Sequence, residues 1–340
     1  MRITFPIITL CKGGAQRMLA ELVNRLAAKG HDVKILMPSY GIVEYSISVP
    51  VIRVSGTLPL AAEYPLSDVI VSNFYTTVDS AAQASKIGRG KHARLSLCYE
   101  PPFLKDNFIS FKTYHVTKNL FVLSKWQQDI IFLNHGIRGH IVPVGISPEF
   151  KNLGNRVPHD AIQVSAILRK PEGGYSWHRD QNYLIEQLHK VMMAVPSIKV
   201  NLIIPPTEFA ESPSLQQLKN APWLNVYTPA NDFELNYHLN HTDIFVSSSL
   251  YDSASMPGLE AMKTGAALVT TYSGGNMDYC RNGQNCLISH RYEDKLHANV
   301  IQLVNNTPLR NRLAQEGMKE AQKWTWDRSA ALFEAGLQRM

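Results

Sequence analysis

The first 36 residues constrain the fold more than any other part of the chain. Residues 3–10 are apolar and β-prone and run into a break at Cys11-Lys12-Gly13-Gly14. From Ala15 onward the apolar residues Met18, Leu19, Leu22, Val23 and Leu26 recur at the spacing of one helix face. Lys29-Gly30-His31 stops that helix, and Val33, Ile35 and Leu36 open a second strand. Strand, helix and strand in this order make a βαβ unit, which requires a parallel sheet covered by helices.

The same punctuation continues. Short apolar runs predict strands at 68–71, 94–98, 119–123 and 140–143. Residues 151–160 are polar, with Gly and Pro, and read as an inter-domain linker. A second series follows, with strands at 161–168, 199–204, 223–227, 243–246 and 267–271. Between them lie an amphipathic helix over 181–195, with Leu184, Ile185, Leu188 and Val191 on one face, and a helix over 256–264. From Glu293 the chain is mostly helical. A length of 340 residues suits two domains better than one. The predicted fold is α/β, with two doubly wound Rossmann-like parallel-sheet domains facing across a cleft and ligands at the carboxyl ends of the strands. The boundaries are 1–150 for an N-terminal domain and 161–322 for a C-terminal domain. The last segment, 323–340, is a helix packing back toward the N-terminal domain.

Composition removes several classes. Apolar residues make up 45% and charged residues 18%, which argues against disorder. No apolar run approaches the roughly 20 residues that span a bilayer. Met1-Arg2-Ile3-Thr4-Phe5-Pro6 lacks the apolar stretch of a signal peptide, so a cytoplasmic location is expected. Cys11, Cys98, Cys280 and Cys286 are scattered and read as reduced thiols. Residues 1–150 hold 16 Lys/Arg against 10 Asp/Glu, whereas the remainder holds 18 of each, so the net +6 belongs to the first half. That asymmetry suits an anionic partner, either the inner face of a membrane or a phosphorylated acceptor, and equally a merely solvated basic surface. No Lys/Arg cluster with interleaved aromatics points to nucleic acid.

The chemistry concentrates in Ser249-Leu250-Tyr251-Asp252-Ser253-Ala254-Ser255-Met256-Pro257-Gly258-Leu259-Glu260-Ala261-Met262-Lys263-Thr264-Gly265. Asp252 falls in the loop after a strand. Pro257 fits a first helical turn, where its missing N–H costs nothing. The free N–H groups of that helix start, at Met256, Gly258 and Leu259 around Pro257, suit a phosphate. Glu260, on the helix, can accept ribose hydroxyls, and Asp252 can reach a sugar on that phosphate. By residue type alone, acids near a helix start are more often caps or dipole partners.

This segment resembles the retaining GT-B glycosyltransferases, the group that includes sucrose and glycogen synthases and bacterial cell-surface sugar transferases. Their pattern is a carboxylate, a Pro, Leu-Glu-Ala-Met, a Gly and then Gly-Gly, met here by Asp252, Pro257, Leu259-Glu260-Ala261-Met262, Gly265 and Gly274-Gly275. Both acids are usually Glu in that family, so Asp252 is one methylene short, and the usual Gly-Phe-Gly is Ser253-Ala254-Ser255 here.

The resemblance implies further roles. Arg169, after the first C-terminal strand, and Arg179, in place of a family Lys, would contact the donor diphosphate, an Arg being well suited to phosphate oxygens. Lys170 and His178, in the same loop as Gly173-Gly174, are alternative phosphate contacts, with surface charge the preferred reading of Lys170. Gly13-Gly14 sits where the family faces the donor from the N-terminal domain, although a tight turn is the plain alternative. Val142-Pro143-Val144-Gly145-Ile146 resembles the family's hinge. On the acceptor side stand Tyr99 and Glu100. Glu100 either orients an acceptor hydroxyl or caps a turn. Asp-x-Asp and metal-ligand spacings are absent, so the donor, a nucleoside diphosphate-sugar, is expected to bind without a metal or cofactor. The expected function is a hexosyl- or deoxyhexosyltransferase that retains anomeric configuration and acts on a glycan or lipid-linked acceptor in cell-surface polysaccharide synthesis. The competing readings are a non-catalytic relative serving as a binding subunit and a sugar-nucleotide epimerase.

Overall fold

A computed structural model describes residues 1–104, 107–154, 161–172 and 176–340. The chain divides into two compact units, one of residues 1–145 with 325–340 and one of residues 146–324.

In the first unit the described residues form strands β1 (Arg2–Pro6), β2 (Asp32–Pro38), β3 (Val51–Val54), β4 (Val69–Ser72), β5 (Lys91–Leu95), β6 (Leu120–Val122) and β7 (His140–Ile141). They build a parallel sheet in the order β3-β2-β1-β4-β5-β6-β7. Helices α1 (Gly14–Ala28), α2 (Tyr75–Lys86), α3 (Asn107–Thr113) and α4 (Lys125–His135) connect them. The apolar stripe read in the sequence is the buried face of α1, where Met18, Leu19, Leu22, Val23 and Leu26 are all buried. The helix Trp326–Gln338 closes this unit. Its Phe333 ring lies 4.7 Å from Phe121, and a Cβ on Gly336 would fall 2.3 Å from the same ring, so only glycine lets the helix approach.

In the second unit the strands are β8 (Gln163–Ile167), β9 (Lys199–Ile203), β10 (Leu224–Tyr227), β11 (Ile244–Ser247), β12 (Ala267–Thr271) and β13 (Cys286–Ser289). Their parallel order is β10-β9-β8-β11-β12-β13. The helices are α5 (Gln181–Ala194), α6 (Pro206–Glu211), α7 (Pro213–Gln217), α8 (Asp232–Asn240), α9 (Met256–Lys263), α10 (Leu296–Asn305) and α11 (Thr307–Ala321), with α12 (Trp326–Gln338) being the closing helix of the first unit. Val164, Leu184, Val200, Leu202, Val246, Val269 and Leu303 are among its core residues. Among the described residues, no helix is long and apolar enough to cross a membrane.

Several elements differ from the sequence expectation, each for a local reason. β1 ends at Pro6, and the chain beyond it bends so that Leu10 N–H donates to the Ile42 carbonyl at 2.7 Å. β5 begins three residues earlier than the apolar run suggests, at Lys91 rather than Arg94. β3 is a four-residue edge strand with two exposed positions, too short and too wet to stand out. α2 buries Thr77, Val78, Ala81 and Ala84, a face with little large apolar side chain to reveal its period. α8 buries Asn236 and Asn240, which bond the Lys151 and Leu153 backbone at 2.8–3.0 Å. Residues 151–154 of the expected linker therefore pack within the second unit. Its remaining residues 155–160 and the Gly173-Gly174 pair lie outside the described residues.

Candidate active site

The second sheet reverses its strand order between β8 and β11. Crevices at such a point, at the carboxyl ends of the strands, are the usual ligand sites of open α/β sheets. A small pocket opens there, lined by Ile167, Arg179, Leu184, Phe245, Ser247–Ser249 and Pro257. The α9 helix starts at its edge. Pro257 occupies the first turn, Ser255 before the helix offers no side-chain cap, and no acid stands in that turn, so the positive helix end is unneutralised by its own residues. Gly258 is required by packing, since a Cβ would lie 2.6 Å from Tyr279 Oη.

Two arginines approach this end of the sheet. Arg179 ends a short 3-10 turn (Trp177–Arg179). Its carbonyl accepts Ser248 Oγ at 2.7 Å, and the neighbouring His178 carbonyl accepts the Leu250 N–H at 2.7 Å, so the turn is stitched to the loop after β11. The Arg179 Nε is out of solvent and has no protein partner. Burial lowers its pKa from the ordinary guanidinium value, opposed first by the carboxylate of Asp252 and also by Glu208 and Glu260. Arg169 follows β8. Its backbone is clamped by Gln181, which accepts Arg169 N–H at 2.5 Å and donates to its carbonyl at 2.8 Å. The Arg169 guanidinium pairs with Glu208, whose other oxygen accepts the Lys170 N–H at 2.6 Å. Burial pushes the Glu208 carboxyl up, but hydrogen bonds and charge from Arg169 outweigh it and hold the carboxyl below its usual range. Lys170 pairs with Glu211 at 2.9 Å. Gln181 and Glu208 are contributors that the sequence reading missed; neither carries a motif, and only the folded loop brings them to Arg169.

The two acids behave differently. Glu260 is buried on α9, 7% exposed. Asp252 is half-buried and closes its own turn: Oδ1 accepts the N–H of Ala254 at 3.1 Å and of Ser255 at 2.8 Å. Its backbone pairs with the Gly-Gly segment, donating to Ser273 O and accepting from Gly275 N–H, both at 2.8 Å. Ser255 is thereby held at φ 53°, a left-handed conformation that glycine adopts more readily. Gly274 has φ 97°, and a Cβ on Gly275 would come 2.0 Å from the Ser253 carbonyl, so the pair is demanded by backbone conformation and by close approach.

Residues 173–320, which carry Arg179, Asp252 and Glu260 but not Arg169, match the family model described as glycosyl transferases group 1. This match spans less than half of the chain and marks the second unit as similar to the group 1 glycosyltransferases. Solved structures share its fold. HepE of Anabaena, solved with UDP, superposes with a TM-score of 0.81 at 17% identity over 100% of both chains. Sucrose-phosphate synthase of Thermosynechococcus elongatus gives 0.79 at 14% identity over 100% of this chain and 98% of that one. WaaG, a glycosyltransferase involved in lipopolysaccharide biosynthesis, gives 0.73 at 15% identity, covering 98% of each. No curated protein matches the chain in sequence. Its two parallel sheets give the chain the GT-B fold of these neighbours.

The first unit places its candidate residues as follows. Gly13 and Gly14 lie in the β1–α1 loop, where Tyr45 Oη accepts Gly13 N–H at 2.9 Å and donates to Gly13 O at 3.0 Å. Tyr99 is buried, with Oη 3.1 Å from His135 Nε2. Glu100 is 2% exposed, and both carboxylate oxygens are engaged, one by the Tyr75 N–H at 3.0 Å and one by Arg94. Arg94 in turn lies 3.8 Å over the Tyr114 ring and donates to Thr113. Glu100 thus belongs to a buried ion-pair network.

Proposed function

We propose that this protein is a glycosyltransferase that moves a sugar, a hexose or deoxyhexose, from a nucleoside diphosphate-sugar to a glycan or lipid-linked acceptor of a cell-surface polysaccharide, with retention of configuration. The observation that carries the donor assignment is the gathering of Arg169, Arg179 and the unneutralised start of α9 at the β8–β11 reversal. These groups suit the charge that grows on a departing diphosphate, which makes a metal unnecessary. Glu260 takes the ribose, and Asp252 positions the transferred sugar through the carboxylate oxygen not used in its turn. The HepE structures with UDP and with UDP-glucose support a nucleotide-sugar donor; retention rests on the family resemblance alone.

The test is a panel of UDP-, GDP- and TDP-sugars. At least one is expected to raise the melting temperature and to yield nucleoside diphosphate in the presence of acceptor, with EDTA leaving the rate unchanged. Protection by none of them would overturn the donor assignment.

A contact with an anionic membrane at the inner face of the cell is part of the same proposal. On α3, Phe108 and Ile109 are 65% and 53% exposed, and on α4 Leu133 is 81% exposed. Lys112 stands 4.0 Å over the Phe108 ring and Arg138 3.8 Å over Phe132. Apolar side chains under cations suit the headgroup layer of an acidic bilayer. Flotation with vesicles containing phosphatidylserine is expected to carry the protein, and flotation independent of anionic lipid would overturn this part.

A further inference from the structure

The acceptor residues expected from sequence are buried in the first unit, while the second unit exposes aromatic rings next to its reacting loop. Tyr272 directly follows β12 and His290 directly follows β13, and the Tyr272 N–H donates to Ser289 O at 3.0 Å, so the two strands stay paired to their carboxyl ends. The Tyr272 and His290 ring centroids are 5.6 Å apart with planes at 31°. His290 and Tyr292 stack at 5.4 Å and 14°. Tyr272 is 40% exposed and Tyr292 84%, the most exposed large apolar side chain among the described residues.

This is not a loose tip. The turn Arg291–Glu293 is pinned on both sides: Arg291 lies 3.5 Å over the Tyr183 ring and pairs with Asp180, and His290 N–H donates to Glu293 Oε2 at 2.8 Å. With Arg291 turned to these partners, its neighbour Tyr292 is left facing solvent. Both anchors lead to the donor site. Asp180 is the residue after Arg179, and Tyr272 is the residue before Ser273, whose carbonyl accepts the Asp252 N–H.

We propose that Tyr272, His290 and Tyr292 form a shelf that binds a pyranose ring of the acceptor glycan. This rests on the glycosyltransferase reading of the site and adds an acceptor subsite on the donor-binding unit. The electron-rich face of an aromatic ring attracts the polarised C–H groups on one face of a pyranose. The phenol hydroxyls and the imidazole nitrogens at the rim match sugar hydroxyls. Location selects an acceptor sugar over a nucleobase. The phosphate-binding groups sit at β8 and β11, whereas the shelf sits at the ends of β12 and β13, beside Asp252, where the transferred sugar is placed.

The test uses the full chain and neutral gluco-, galacto-, manno- and N-acetylglucosamine disaccharides, with saturation-transfer NMR and titration. At least one disaccharide is expected to receive saturation at the C–H groups of one ring face. Tyr292→Ala and Tyr272→Ala are each expected to weaken it roughly tenfold, while Tyr292→Phe retains it. Protection against thermal unfolding by the nucleoside diphosphate should be equal in all four proteins. The shelf is overturned if no disaccharide binds the wild type, if the alanine variants bind as well as it does, or if they lose nucleotide protection instead, which would mark a base-stacking surface. Absence of nucleotide protection in the wild type would overturn the donor assignment and leave the glycan measurement to decide the shelf on its own.

Discussion

At the scale of residues, the shortening of one acid has a structural consequence. Asp252 reaches its own following N–H groups, closes a turn and holds Ser255 in the left-handed region. Asparagine keeps the accepting oxygen and removes the charge. Asp252→Asn is therefore expected to leave the unfolding free energy within about 0.5 kcal/mol and to lower kcat at least tenfold with nucleotide protection unchanged. A full rate in that variant would show that the carboxylate does not position the sugar. Gly275→Ala is the harsher change. Its methyl would meet the Ser253 carbonyl at 2.0 Å, and the obstacle is backbone, which cannot rotate away. A loss of about 2–3 kcal/mol in chemical denaturation is expected, and a wild-type midpoint would contradict the packing described. The motif Leu259-Glu260-Ala261-Met262 was legible in the sequence through its resemblance to a family pattern, residue type alone favouring a cap or dipole partner. The turn chemistry of Asp252 was not, because it depends on backbone angles several residues away.

At the scale of elements, the proposed donor site is a product of where strands end. β8 delivers Arg169, the turn before α5 delivers Arg179, and the loop after β11 delivers Asp252 and the start of α9. Arg179 is fastened by backbone contacts to Ser248 and Leu250, so removing its side chain should spare the loop. Arg179→Ala is expected to lower kcat about 10²–10³-fold with a smaller effect on donor KM, because its charge matters most as the diphosphate departs. Steady-state kinetics at saturating acceptor reads this, and a change confined to KM would reassign Arg179 to ground-state binding. Two of the helices that periodicity missed, α2 and α8, bury alanine, threonine and asparagine. Their packing is through small volume or hydrogen bonds, and a hydrophobic pattern records neither.

At the scale of the molecule, the first unit carries a pH dependence of its own. Burial, and then the charge of Arg94, pulls His92 down to about 4. Burial, followed by the charges of His115 and Arg94, does the same to His135, also to about 4. In the unfolded chain a histidine takes its proton near 6.5. Between roughly pH 6.5 and 4 the unfolded state therefore binds more protons, and stability falls as the pH falls. Melting of the full chain is expected to decline across this window, and His92→Gln and His135→Gln are each expected to flatten the decline. A melting temperature that is level from pH 6.5 to 4.5 would contradict the buried neutral state of both rings.

The sequence by itself determined the α/β class and the parallel sheets, since alternation of strand and helix is written along the chain, and it carried the acid-bearing motif through its resemblance to a known family. Only the tertiary structure decided which side chains keep company. It joined Glu208 and Gln181 to Arg169, buried Glu100 against Arg94, and brought Tyr272 beside His290. These partners are 6 to 39 residues apart in sequence. Parallel strands return through long crossovers, so neighbours at a sheet's carboxyl edge leave no trace in local spacing.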